Sequence, residues 1–331
     1  MVERKAVVPE VWANRFRFDM ISYVILTVTL NTALDITYRV PALVPHTSHR
    51  VDAVTERAGG KGLNVARVLA ALGHEAVVTG FAGGANGETL RSLLAAAPVT
   101  DALVHSSGTT RRTIAIVDAA TGDTTQLNEA GPLISATEWE IFLARYGKLL
   151  AGASAVALCG SLPPGVPVGA YAQLVRLART AGVPVLLDTS GEPLRRGLAA
   201  RPDLVKPNAD ELAQLTGSRD PLRATADARR RGARTVVASL GAEGMLAATP
   251  EGTWQALPPA RLAGNPTGAG DSAVAGLLAG LVEELPWPER LARAVALSAA
   301  TVVSPVAGEF DRKTYEDLLP QVLVTEQVRA A

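Results

Sequence analysis

Between Ala155 and Val302 one phrase recurs: a short run of β-branched and apolar residues, a Gly, Asn or Asp at its end, then apolar residues at helical spacing. Strands are expected at 155–159, 183–188, 204–206, 235–239 and 244–248, and helices at 168–181, 209–216, after 270 and at 288–302. Strand alternating with helix in this way predicts an α/β fold with a mostly parallel sheet, because each crossover must return over the sheet face. Tyr23–Leu30, apolar on both faces, reads as one more buried strand of that sheet. In open sheets of this kind ligands gather where the strands end. Asn31–Asp35, Gly160–Gly165, Asp188, Lys206–Glu211 and Ser239–Gly244 all fall there.

Two stretches break the rhythm. Ile36–Val40 with His49–Val54, and Thr113–Val117 with Asp123–Asn128, alternate apolar and polar residues around Pro- or Gly-containing turns. They predict a small four-stranded β lid over 36–56 and 111–128, which could also serve as a homodimer face. The main body is then 21–35, 57–110 and 129–320. Residues 1–20 lack a continuous apolar stretch of the signal-peptide kind and are expected to be a disordered extension.

Lys plus Arg and Asp plus Glu both number 32 in the 331 residues, so there is no overall basic field of the kind nucleic acids or anionic membranes attract. No apolar run is long enough for a membrane span. Any phosphate must therefore be recognised locally. The single cysteine, Cys159, lies in an apolar strand, reads as buried filler, and suits a reducing, cytoplasmic setting.

Asn265-Pro266-Thr267-Gly268-Ala269-Gly270-Asp271, followed by small apolar residues, is the best local candidate. Glycines at 268 and 270 allow successive N–H groups to face one concavity at a helix start, where an anion is favoured. A carboxylate at 271 repels a resting phosphate, and its use is to take a proton from an attacking hydroxyl. For the tetrapeptide alone, a capped helix with no ligand is the better reading. The spacing Gly268-x-Gly270-x-x-Ala273 also matches a dinucleotide fingerprint, but a poor strand precedes it. Gly59-Gly60-Lys61-Gly62 opens another helix, lacks the spacing of a P-loop, and points to sugar hydroxyls, with Asn64 reaching them from the first turn. Arg111 and Arg112, beside the lid, are surface charge by default and a bidentate phosphate clamp if turned inward.

Taken in order, Asn31-Thr-Ala-Leu-Asp35, Gly59-Gly-Lys-Gly-Leu-Asn64-Val-Ala-Arg67, Gly160-Ser-Leu-Pro-Pro-Gly165, Lys206-Pro-Asn208-x-x-Glu211 and Gly268-Ala-Gly-Asp271 resemble the PfkB, or ribokinase-like, carbohydrate kinases. The resemblance covers nearly everything from Tyr23 onward and is strongest to the branch of 1-phosphofructokinase and tagatose-6-phosphate kinase. It implies a three-layer sandwich with a β lid, and ATP with Mg²⁺ as cofactors. It implies Asp271 as base, with Thr267, Gly268, Ala269 and Gly270 forming an anion hole. Asn208 and Glu211 would hold Mg²⁺ largely through water. Lys206, Ser239, Gly241 and Gly244 would line the nucleotide site, and Ser298 and Ala307–Gly308 would flank the adenine. On the acceptor side it points to Asp35, Gly59, Gly60, Lys61 and Asn64, with Arg111 and Ser161 near the sugar's phosphate.

Two departures stand out. Some relatives carry a lid lysine for that phosphate, whereas this chain has His46-Thr47-Ser48-His49-Arg50, so Arg50, Arg111 or Arg112 would substitute. Thr32 stands where many relatives have proline. The implied reaction is phosphorylation of fructose 1-phosphate to fructose 1,6-bisphosphate. Other phosphosugars, an unphosphorylated sugar or nucleoside, and a non-catalytic sugar or nucleotide sensor are the alternatives.

Overall fold

The computed structural model describes residues 4–6, 22–51, 54–260, 262, 264–304, 306 and 308–327. The strands are, in chain order, β1 (Arg4–Ala6), β2 (Val24–Thr29), β3 (Ala33–Val40), β4 (Val54–Gly59), β5 (Glu75–Ala82), β6 (Thr100–Asp101), β7 (Val104–His105), β8 (Arg111–Asp118), β9 (Thr124–Asn128), β10 (Ala155–Cys159), β11 (Val185–Asp188), β12 (Leu204–Val205), β13 (Thr235–Ser239), β14 (Met245–Ala248), β15 (Thr253–Leu257) and β16 (Leu323–Gln327). The α-helices are α1 (Lys61–Ala71), α2 (Gly84–Ala95), α3 (Ala136–Leu150), α4 (Ala170–Thr180), α5 (Gly191–Ala199), α6 (Ala209–Thr216), α7 (Pro221–Arg230), α8 (Ala269–Val282), α9 (Trp287–Val302) and α10 (Arg312–Leu318).

The main sheet runs in the order β1-β16-β15-β14-β13-β12-β11-β10-β2-β5-β6, with β7 also paired to β5. From β13 to β6 every pairing is parallel, and from β13 outward to β1 every pairing is antiparallel. β10 shows why its sequence is apolar throughout. Ala155, Ala157 and Cys159 face one core, while Val156 and Leu158 face the other, and all five are buried. The first core takes up α1, α2, α8 and α9; the second takes up α3 to α7. Cys159 is filler, as expected, and burial pushes its thiol far up.

Small residues in α8 have a packing reason. A Cβ on Gly276 would come within 2.9 Å of Leu297 and 3.0 Å of Ala294, so α8 and α9 approach more closely than larger residues permit. Ser135 opens α3 in a full capping box with Glu138, as its spacing predicts.

A second sheet, β4-β3-β8-β9, carries the alternating stretches. Its centre is a parallel pair, β3 with β8, flanked by the antiparallel β4 and β9. The strand expected at His49–Val54 is instead β4 at Val54–Gly59. The cause is the register: Gly59 pairs with Ala33, so a glycine that reads as loop lies inside the ladder. A side chain there would overlap the Asp35 carboxyl. The extension expected over residues 1–20 lies outside the described residues except for Arg4–Ala6, which pair as a strand with β16.

Candidate active site

Contacts tie together the carboxyl ends of β2, β10, β11, β12 and β13 and the starts of α1 and α8: Asn31 reaches Ser161, Lys61 and Lys206 reach Asp188, Ser239 bridges to Asn208 and Asn64 reaches Asp271. Gly268 is the N-cap of α8 at φ 85°, a conformation that excludes most side chains. Among the described residues, the amides of Gly270 and Asp271 find no carbonyl acceptor, and Lys206 Nζ lies 3.5 Å from where a Gly270 side chain would begin. Free N–H groups, a helix dipole and an ammonium thus face one point, which is what an anion requires. Thr267 N–H is occupied by Asn265 Oδ1 at 3.0 Å.

Asp271, in the first turn of α8, is 6% exposed. Asn64 Nδ2 donates to its Oδ2 at 2.8 Å. Burial raises its carboxyl to about 6, against the opposing pull of Lys61, while Asp188 adds to the rise. Its place at a helix start favours the charged form by about 0.3–1 kcal/mol, and burial outweighs it. A carboxyl at about 6 is ionised at neutral pH yet basic enough to accept a proton.

Asp188 ends β11 and is 1% exposed. Lys61 Nζ stands 3.4 Å from its Oδ2 and Lys206 Nζ 3.7 Å from its Oδ1. The Asp188 carboxylate is the main cause of the raised Lys61 pKa. Sequence reasoning placed Asp188 at a strand end without a role, because one carboxylate in a loop gives no sign of the lysines that fold onto it from α1 and from the loop after β12.

Asp35 lies at the base of the small sheet, with Gly59 against its carboxyl, while Gly60 packs on Thr29 and Thr32. Burial raises the Asp35 carboxyl to about 6, opposed by Thr113, Arg111, Arg67 and Arg57. Arg111 and Ser161 meet on one residue: Asn31 Nδ2 donates to Ser161 Oγ at 3.1 Å, and Arg111 Nε donates to the Asn31 carbonyl at 3.3 Å. Arg112 pairs instead with Glu129 at 2.7 Å on the exposed side. Of the cations considered for a sugar phosphate, Arg111 alone is turned inward, and burial lowers its pKa. Arg50 is exposed in the loop before β4.

Asn208 and Glu211 form a capping box on α6: Glu211 N–H donates to Asn208 Oδ1 at 2.8 Å, and Asn208 N–H donates to Glu211 Oε2 at 2.9 Å. Among the described residues, Glu211 Oε1 has no hydrogen-bond partner. One open carboxylate oxygen near Lys61 suits a divalent ion that keeps most of its water and its phosphate ligands. Ser239 bridges to Asn208. Gly241 follows in a tight turn at φ 62°, and Gly244 packs against the Ala256 carbonyl, where no side chain fits. Ser298 is half-buried in α9. Gly308, expected beside the adenine, packs on Asn64, where its Cβ would stand 2.8 Å from Oδ1. Ala307 lies outside the described residues.

The architecture is that of a ribokinase-like phosphotransferase with an alcohol group as acceptor. The model of the pfkB family of carbohydrate kinases matches residues 28–313. A 1-phosphofructokinase from Rhodobacter capsulatus is 41% identical over 289 residues, 85% of this chain and 92% of that protein. Phosphofructokinase-2 from Escherichia coli, solved in complex with fructose-6-phosphate, superposes with a TM-score of 0.83 at 32% identity, covering 90% of this chain and 99% of the other. A possible 1-phosphofructokinase from Thermotoga maritima gives a TM-score of 0.83 at 27% identity, covering 93% and 100%. The chain belongs to the PfkB family of carbohydrate kinases.

Proposed function

We propose that this kinase uses ATP and Mg²⁺ to phosphorylate a free hydroxyl of fructose 1-phosphate, giving fructose 1,6-bisphosphate. The observation that carries the mechanism is the place of Asp271, between the Lys206 and α8 anion cradle on one side and Asn64 and the Asp35 cluster on the other. Asp271 accepts the acceptor's proton, and the α8 amides with Lys206 hold charge on the moving phosphoryl group. Glu211 and Asn208 would hold Mg²⁺ through water, and the ion would supply neutralisation of phosphate charge when bound. Asp35 and Asn64 hold sugar hydroxyls, and Arg111 with Ser161 takes the sugar's phosphate. No step needs a covalent enzyme intermediate.

Acceptor choice rests on the likeness to a 1-phosphofructokinase. Fructose 6-phosphate is the second reading, because the Escherichia coli neighbour was solved with it. A panel of fructose 1-phosphate, fructose 6-phosphate and tagatose 6-phosphate, followed by ADP release with Mg²⁺ and with EDTA, decides between them. Fructose 1-phosphate is expected to give the highest kcat/KM, with turnover lost in EDTA. A tenfold preference for another acceptor would reassign the substrate, and no ADP release with any of them would revive a sensor.

The small sheet is proposed as a lid that also joins two copies of the chain. Its register aligns Val54, Tyr38 and Ile116 in one row and Ile36, Ile114 and Leu127 in the next, all on one face. Val54 and Leu127 are 54% and 53% exposed, a costly arrangement for a lone chain. The variant Leu127→Glu is expected to run as a monomer in gel filtration where the parent runs as a dimer. An unchanged elution volume would remove this face from the interface. No described helix is long and apolar enough to cross a membrane.

A further inference from the structure

Arg67 belongs to α1, one turn beyond Asn64, and sits behind the candidate base. Its Nη1 donates to Asn64 Oδ1 at 3.1 Å, and its Nη2 donates to the Ala58 carbonyl at the foot of β4. On the other side of the same amide, Asn64 Nδ2 donates to Asp271 Oδ2. The two ends of an amide have nearly the same shape, so only its partners choose which way it points. A guanidinium has no acceptor and a carboxylate has no donor. Both neighbours therefore demand one orientation, with the carbonyl on Arg67 and the NH₂ group on Asp271.

We propose that Arg67 is a positioning residue for phosphoryl transfer, holding the Asn64 amide so that one Asp271 oxygen stays occupied and the other is left for the acceptor's proton. This rests on the reading of Asp271 as the base. Gly308, the other close neighbour of Asn64 Oδ1, has no side chain with which to replace the guanidinium. Once Arg67 is gone the amide can turn over, and its carbonyl then faces the carboxylate. That arrangement favours protonated Asp271, the form that cannot act as base.

The charged and titratable groups around the pair are few. Lys61 from α1, Asp188 from β11, Lys206 from the loop after β12 and Cys159 from β10 act on or beside Asp271. Arg57 from β4, Asp35 from β3 and Glu309 from the loop after α9 act on Arg67. Burial, with Arg57 adding to it, brings the Arg67 guanidinium down to about 10, so it stays charged through the neutral range.

The test is kcat and acceptor KM as functions of pH for the parent, Arg67→Met, Arg67→Lys and Asp271→Asn. Arg67→Met is expected to lower kcat by about 10- to 100-fold, as loss of an outer partner of a reacting group does, with a smaller change in KM. Loss of the Asn64 hydrogen bond removes support for the ionised carboxylate. The midpoint of the acid limb of kcat is therefore expected to move up by about one pH unit. Arg67→Lys, which keeps a donor and a charge, is expected to return the midpoint towards the parent's. The midpoint does not depend on how much of a variant is folded, so partial unfolding leaves the result readable. An unchanged midpoint with unchanged kcat per folded molecule in Arg67→Met would reduce Arg67 to an anchor for Ala58. If Asp271→Asn itself kept near-parental kcat, the base assignment would fall first.

Discussion

Asp271→Asn is expected to lower kcat by roughly 10²- to 10⁴-fold, the range for lost general-base assistance, while acceptor and nucleotide still bind. The amide is the same size, and one of its oxygen positions can still accept from Asn64 Nδ2. In the parent, burial holds this carboxyl at about 6. Turnover is therefore expected to fall as pH drops through about 6, when the base becomes protonated. Stability should move the other way. The folded pKa lies above the unfolded one, so the folded state binds the extra proton between about 4 and 6, and stability declines as pH rises through that window. A carboxyl held at about 6 rather than 3.8 disfavours its charged form by roughly 3 kcal/mol. The Asn variant should thus be the more stable protein at neutral pH, by up to that order, and nearly inactive. Steady-state kinetics with urea unfolding at pH 5 and pH 7.5 reads both effects. Near-parental turnover would remove Asp271 from the chemistry.

Asp188→Asn is expected to destabilise the fold by about 3–5 kcal/mol, the penalty for removing one partner of a buried ion pair. Asp188 and the Lys206 side chain are 1% and 5% exposed, so Lys206 has little water to turn to. Lys61, with its side chain 42% exposed, can swing outward and contributes less. The variant also leaves Lys61 and Lys206 without the anion that separates them, so turnover should fall together with stability. A urea midpoint within error of the parent's would show that Asp188 does not act as the counter-charge of these lysines.

How much of this was legible beforehand depends on the residue. Strands 155–159 and 235–239, helix 209–216 and the α8 start at Gly268 follow from local chemistry: β-branched runs, a cap and a left-handed glycine. α7, β15, β16 and α10 were missed, since arginine-rich or short segments gain their form from packing against the sheet rather than from their own periodicity. Asn208 and Glu211 were read only as holders of magnesium; the capping box they form on α6 was overlooked, although Asn-x-x-Glu before an apolar run is its signature. Arg111 and Arg112 look alike in sequence. Their neighbours, the Asn31 carbonyl inside and Glu129 outside, separate them. Gly308 could not have been placed against Asn64, because 244 positions part them along the chain and no local pattern records such a contact.

The strand order has a consequence for how the protein is made. β2, the first parallel strand to emerge, lies between β5 and β10. The nascent chain can pair β2 with β5 early, but the other edge of β2 waits until residue 159 has left the ribosome. At about 5–20 residues per second that interval lasts roughly 4 to 15 seconds. Through it an apolar edge stands open at what will become the middle of the sheet, ready to pair with a neighbouring copy. Interrupting translation between α3 and β10 would leave the chain in its most aggregation-prone state, and a pause placed after β11 would let the sheet close around its first strand.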